Sequence, residues 1–100
     1  MKILNQDAQT LVVSGLPDLT IINPAQVRDD IRAALPANCT RLILDFASQH
    51  TVDSRGLGLL ISLHKTLRSR CGAVFLKAPA PAVQQILEMT RLNHIFEIVT

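Results

Sequence analysis

The sequence predicts a single α/β domain built on a mostly parallel sheet. Short β-rich runs alternate with stretches of helical periodicity, in the order strand, helix, strand, helix, strand, helix. One hundred residues are enough for one hydrophobic core and too few for two domains. The Pro and Gly residues fall singly between the periodic segments, and no repeat, low-complexity tract or Gly/Ser linker divides the chain. Strands separated by helices pair in parallel through right-handed crossovers, so residues 1–100 are expected to form four or five strands with helices packed against them.

Each element has its own local reason. Ile3 and Leu4 offer an N-terminal edge strand, and Thr10-Leu-Val-Val-Ser14 is β-branched and apolar, followed by turn chemistry in Gly15-Leu-Pro-Asp18. Pro24 stands at a first helical position behind Asn23, and Val27, Ile31, Ala34 and Leu35 recur at helical spacing until Pro36 stops them. Arg41 to Phe46 is short and apolar, as expected of a central strand buried on both faces. After the polar loop Ser48-Gln-His-Thr51, one face of a long helix is marked by Leu57, Leu60, Ile61, His64 and Leu67, widened by Leu59 and Leu63. That helix is expected to end near Arg70, with Gly72 as its stop, before a strand at Ala73 to Leu76. Pro79 and Pro81 precede a third helix carrying Val83, Ile86, Leu87 and Met89, and Ile95 to Val99 fits either a short closing strand or a turn of helix.

Composition removes several classes of function. Hydrophobic residues make up 48% of the chain and aromatic ones 3%, so the core must be aliphatic. A net charge of +2 is too small to neutralise a run of phosphates, and few rings are present to stack bases, which argues against direct nucleic-acid binding. The apolar stretches fall short of the roughly 18 residues a membrane span needs, and Asn5, Gln6 and Asp7 interrupt the place of a secretory signal. A soluble cytoplasmic domain without membrane insertion is expected. Cys39 and Cys71 have neither CxxC spacing nor a histidine pair nearby, so no metal site is expected. Gly56-Leu-Gly58 lacks the third glycine of a dinucleotide fingerprint, and Ser54 sits in no nucleophile elbow, so neither a cofactor nor enzymatic activity is expected. His64 reads as a satisfied core or boundary histidine, and Lys65, Arg68 and Arg70 complement the negative end of their helix.

The informative stretch is Thr51 to Leu60. Asp53 and Ser54 are both good N-caps for the helix that follows. Gly56 and Gly58 each cost a helix interior about 1 kcal/mol relative to alanine, a cost offset if another backbone approaches closely there. On that reading, Gly58→Val is expected to disrupt packing at the helix entrance. A phosphate on Ser54 would carry about −1.5 to −2 charges beside a helix N-terminus, with Arg55 placed to pair with it and Asp53 to repel it.

Arg41-Leu-Ile-Leu-Asp-Phe46, Val52-Asp-Ser-Arg-Gly-Leu-Gly58, Gly72-Ala-Val-Phe-Leu76 and Ala82-Val-Gln-Gln-Ile-Leu87 together resemble the STAS domain, specifically the bacterial anti-sigma factor antagonists. The resemblance spans about Thr10 to Ile98. It implies that Ser54 is phosphorylated by a partner that is both anti-sigma factor and serine kinase, that the unphosphorylated form binds this partner and frees a sigma factor, and that a serine phosphatase restores it. It further implies partner contacts at Asp18, Asp53, Ser54, Arg55 and Gly56. Arg55 stands where that family usually has a small residue, Pro17 interrupts the usual turn before Asp18, and Arg91 stands where a glycine often ends the third helix. The same resemblance leaves a second reading, a constitutive adaptor subunit of a lipid-transport type ATPase complex that docks through this loop without phosphorylation.

Overall fold

The computed structural model of the chain describes residues 1–20 and 23–99. In chain order it contains β1 (Lys2–Asn5), β2 (Thr10–Ser14), α1 (Pro24–Ala34), β3 (Arg41–Asp45), α2 (Ser54–Arg68), β4 (Ala73–Lys77), α3 (Pro81–Met89), a 3₁₀ turn (Leu92–His94) and β5 (Glu97–Val99). The strands lie in the sheet in the order β1-β2-β3-β4-β5, with β1 antiparallel to β2 and every other neighbouring pair parallel. The optional edge strand at Ile3 and Leu4 is therefore formed, and the ambiguous segment Ile95 to Val99 ends in a strand, Glu97–Val99, preceded by the 3₁₀ turn Leu92–His94.

Sequential strand order has a geometric consequence. Each right-handed crossover that steps in the same direction across a sheet deposits its helix on the same side. The alternation of burial agrees: Leu11, Val13, Leu42, Leu44, Val74 and Leu76 are buried, whereas Val12, Ile43 and Phe75 between them are only half-buried. The expectation that β3 is covered on both faces is thus corrected, because an apolar run looks the same whether its second face meets a helix or only its neighbours in the sheet. The buried face meets Val27 and Ile31 of α1, Leu59, Leu60, Leu63 and Leu67 of α2, and Val83 and Leu87 of α3, in one aliphatic cluster completed by Phe46 and Phe96.

The buried stripe of α2 centres on Leu59, Leu60 and Leu63, leaving Leu57, Ile61 and His64 half-buried at its flank. His64 stands edge-on to Phe96, with ring centroids 5.9 Å apart at 70°, and its Nδ1 is buried without a hydrogen-bond partner among the described residues. It is a half-buried histidine at the edge of the core. Arg32 of α1 fastens the two helices by donating from Nη2 to Ser62 Oγ at 2.7 Å and from Nε to Thr66 Oγ1 at 3.2 Å.

The end of α2 also departs from expectation. The Gly72 N–H donates to the Leu67 carbonyl at 2.8 Å and the Cys71 N–H to the Arg68 carbonyl at 3.1 Å, the paired bonds of a Schellman ending. Its left-handed residue is Cys71, at φ 57°, and not Gly72. Gly72 is required for a different reason: a Cβ there would lie 2.7 Å from the Thr40 carbonyl oxygen and 2.8 Å from its Cα. Strands β3 and β4 start side by side, Arg41 opposite Ala73, and that register forces the preceding backbones together. Gly72→Ala is therefore expected to lower unfolding free energy by about 1–3 kcal/mol in urea titration, while Cys71→Gly should be neutral or slightly stabilising. A harmless Gly72→Ala would contradict the close approach.

Candidate functional site

In a parallel sheet the loops that leave the carboxyl ends of the strands gather at one end, where ligands and partners most often bind. Here those loops follow β2, β3 and β4, and the second runs into α2. Asp53 is the cap of α2: its extended backbone (φ −112°, ψ −171°) lets the carboxylate accept from the Arg55 N–H at 3.0 Å and the Gly56 N–H at 3.2 Å. Ser54 is consequently the first helical residue and is exposed. The bond from the Gly56 amide, then the pairing with Arg55, hold the Asp53 carboxyl below the usual carboxylate range.

Arg55 is already engaged. Its Nη2 lies 3.1 Å from Asp53 Oδ2 and also donates to the Thr20 carbonyl, so the guanidinium ties the β2–α1 loop to the start of α2. The expectation that this cation stands ready for a phosphate on Ser54 needs that correction. Asp18 closes a small turn of its own, accepting from the Thr20 hydroxyl at 2.6 Å and the Thr20 N–H at 2.9 Å. The Thr20 hydroxyl first, and its amide second, pull the Asp18 carboxyl below its ordinary value, and His50 and Asp53 are near enough to act on it in opposite senses. Asp18, Asp53, Ser54 and Arg55 thus share one surface. Gly56 does not: it is buried, and a Cβ on it would make ordinary contact with Val52 at 3.5 Å and Leu19 at 3.7 Å. It shapes the site from beneath.

Gln49 is the residue that sequence reasoning missed. It lies in the apparently polar loop after β3, yet is 2% exposed. Its Oε1 accepts from the Leu19 N–H at 3.2 Å, and its Nε2 donates to the carbonyls of Leu16 at 3.2 Å and Pro17 at 2.8 Å. Ser48 Oγ adds a bond to the Leu16 carbonyl at 3.2 Å. One side-chain amide therefore satisfies three backbone groups of the facing loop and sets Asp18 beside Asp53. No periodic pattern marks such a residue, since its neighbours in sequence are polar and its partners lie some thirty positions away.

Between the starts of α1 and α2 runs an open groove of about 380 Å³, lined by Asn23, Ala25, Arg28, Arg55, Gly58 and Leu59 among others. Asn23 caps α1 by accepting from the Ala25 N–H at 3.0 Å. Gly58 is exposed on α2, and a Cβ there would meet nothing within 4 Å among the described residues. The expected disruption by Gly58→Val is overturned, because the glycine faces the groove and no neighbouring backbone.

Two outcomes follow for the site itself. Gln49→Leu strands the buried Leu19 N–H and the Pro17 carbonyl and leaves the Leu16 carbonyl to Ser48 alone, so it should cost about 1–3 kcal/mol and selectively speed hydrogen exchange at Leu19; unchanged exchange would mean the loops hold together without the amide. The folded-state pKa values of Asp18 and Asp53 lie below their unfolded values, so what they contribute is complete above the ordinary carboxylate range and is lost as pH falls through the lowered values. Amide shifts of Thr20 and Gly56 should stay flat from about pH 8 to 5 and move only below about pH 4.

The family model described as the STAS domain matches residues 3–100. Among solved structures, the anti-sigma factor antagonist SpoIIAA in its unphosphorylated form is similar at a TM-score of 0.79 and 22% identity, over 99% of this chain and 87% of that one. A Thermotoga maritima protein described as a candidate anti-sigma factor antagonist gives 0.84 at 20% identity, over 99% and 85% of the two chains. The NMR structure of that same protein, TM1081, gives 0.72 at 22% identity, over 96% and 77%. At these identities the likeness is one of fold.

Proposed function

This chain belongs to the STAS domain family, and from that premise we propose that it is an anti-sigma factor antagonist, a binding switch without catalytic activity of its own. Its unphosphorylated form binds an anti-sigma factor that is also a serine kinase and so releases a sigma factor. Phosphorylation of Ser54 ends that binding, and a serine phosphatase restores it. The observation that carries the reading is the placement of Ser54, exposed at the first position of a helix whose cap is the neighbouring Asp53.

The local electrostatics favour a change of surface over a change of fold. Ser54 Oγ is the nucleophile toward the γ-phosphorus of the kinase's ATP, its proton leaving to a base on the partner and ADP leaving the phosphoryl group. The helix N-terminus tolerates the added anion, while the adjacent Asp53 carboxylate repels it. Arg55 bridges Asp53 and the Thr20 carbonyl in an exposed contact, so a phosphate on Ser54 competes with these groups for the guanidinium and loosens the link to the β2–α1 loop. On a domain whose net charge is +2, a phosphate of about −1.5 to −2 removes nearly the whole balance, at the place where the partner sits.

Gly58 fits the same reading. A glycine inside a helix costs about 1 kcal/mol relative to alanine, and among the described residues no contact within 4 Å of a Cβ at Gly58 offsets it. The open groove beside it lets a partner's backbone lie against α2 within reach of Ser54.

Incubation with ATP and the cognate kinase should place one phosphate on Ser54 by peptide mass spectrometry, and Ser54→Asp should weaken binding to that kinase at least tenfold while Ser54→Ala binds unmodified. Phosphate on Thr51 or nowhere would sink the assignment, and full binding by Ser54→Asp would mean docking without modification. Gly58→Ala should keep or raise the melting temperature yet weaken binding, an outcome that separates contact from stability. Full binding by Gly58→Ala would remove the groove from the interface.

A further inference from the structure

Parallel sheets are normally covered on both faces. In this domain the described helices lie on one, and none of them covers the opposite face, on which Thr10 is the one described strand residue that is buried. The register aligns Leu4, Val12, Ile43 and Phe75 across four adjacent strands of that face, giving an unbroken apolar stripe. Leu4 is 61% exposed, a costly state for a leucine on the edge of a folded sheet.

The charges beside the stripe point to what covers it. On β3, Arg41 and Asp45 sit two residues to either side of Ile43, and strand alternation puts both on the bare face. A two-fold axis laid along the stripe superposes Ile43 on its copy, and it sets Arg41 of each chain against Asp45 of the other. The pairing closes on itself, as an isologous interface requires. Asp45 Oδ1 already accepts from the Ala47 N–H at 2.9 Å, which holds the carboxylate in position. On β4, Lys77 falls over Ala73 of the other copy, so no like charges oppose there. Glu97 is aligned with Phe75 and so meets its own copy at the far edge, a like-charge contact that weakens the association.

We propose that this bare face is the docking surface for a second copy of the chain, packed by two-fold symmetry through the Leu4–Val12–Ile43–Phe75 stripe with reciprocal Arg41–Asp45 pairs. Five strands about 4.8 Å apart and about five residues long cover on the order of 350 Å² per copy, under half of the roughly 800 Å² per partner in a stable interface. The dimer is accordingly weak and concentration-dependent. The α2 entrance lies at the ends of the strands on the helix side, so Ser54 remains open in the dimer, and the proposal stands or falls independently of its phosphorylation.

Sedimentation equilibrium from about 10 μM to about 1 mM at low salt should show the mass rising toward twice that of the chain. Arg41→Asp alone and Asp45→Arg alone should each raise the dissociation constant at least tenfold. An equimolar mixture of the two, or the double variant, should restore association, because opposite charges then face each other again. Leu4→Lys, at an exposed position that folding does not need, should also abolish it. A wild type that stays monomeric at about 1 mM would overturn the proposal, as would single variants that associate like wild type. So would a mixture of single variants that stays monomeric while circular dichroism shows both to be folded.

Discussion

The sequential order of the strands is the constraint from which the other features descend. Because β2, β3, β4 and β5 follow one another across the sheet, every crossover turns the same way and the helices gather on one side. That arrangement brings α1 and α2 together, so that their N-termini flank a groove, and places the loops after β2 and β3 at one end of the sheet. It also leaves an opposite face that the described helices do not reach. The candidate partner surface and the bare stripe are two results of a single topological fact.

Within that frame the site depends on polar groups doing structural work. Gln49 joins the two loops through their backbones, and Arg55 joins them again through Asp53 and the Thr20 carbonyl. The bonds of Gln49 are sheltered from water and the pair at Arg55 is exposed, so the first contributes more to holding the geometry and the second is the easier to rearrange. An added anion at Ser54 would enter beside the weaker of the two connections. Its effect is expected on charge and on the set of the loop around Asp18 and Thr20, with the sheet beneath left as it is.

Much of the fold was legible in the residues because periodicity records which way side chains point. Pro24 behind Asn23, the β-branched Thr10–Ser14 run and the apolar Ala73–Leu76 run all reported their elements correctly. Periodicity says nothing about what lies opposite, and for that reason β3 was expected to be covered twice. Glycines misled for a related reason. Gly72 and Gly58 look alike in sequence, yet one is pressed against Thr40 and the other faces open space, while the left-handed turn falls on Cys71. The choice of Asp53 over Ser54 as the cap rests on local bonds that either side chain could offer, and the burial of Gln49 depends on contacts with a loop some thirty residues away.

The central claim is that the entrance of α2 is a surface whose charge can change while the fold stays fixed. Amide chemical shifts of the domain before and after stoichiometric phosphorylation of Ser54 test this most directly. Changes confined to the loop around Asp18 and Thr20 and to the first two turns of α2, with the amides of β3 and β4 unmoved, are the expected result. Shifts spread through β3 and β4, or loss of dispersion, would show that the phosphate acts by disturbing the core and would contradict the account.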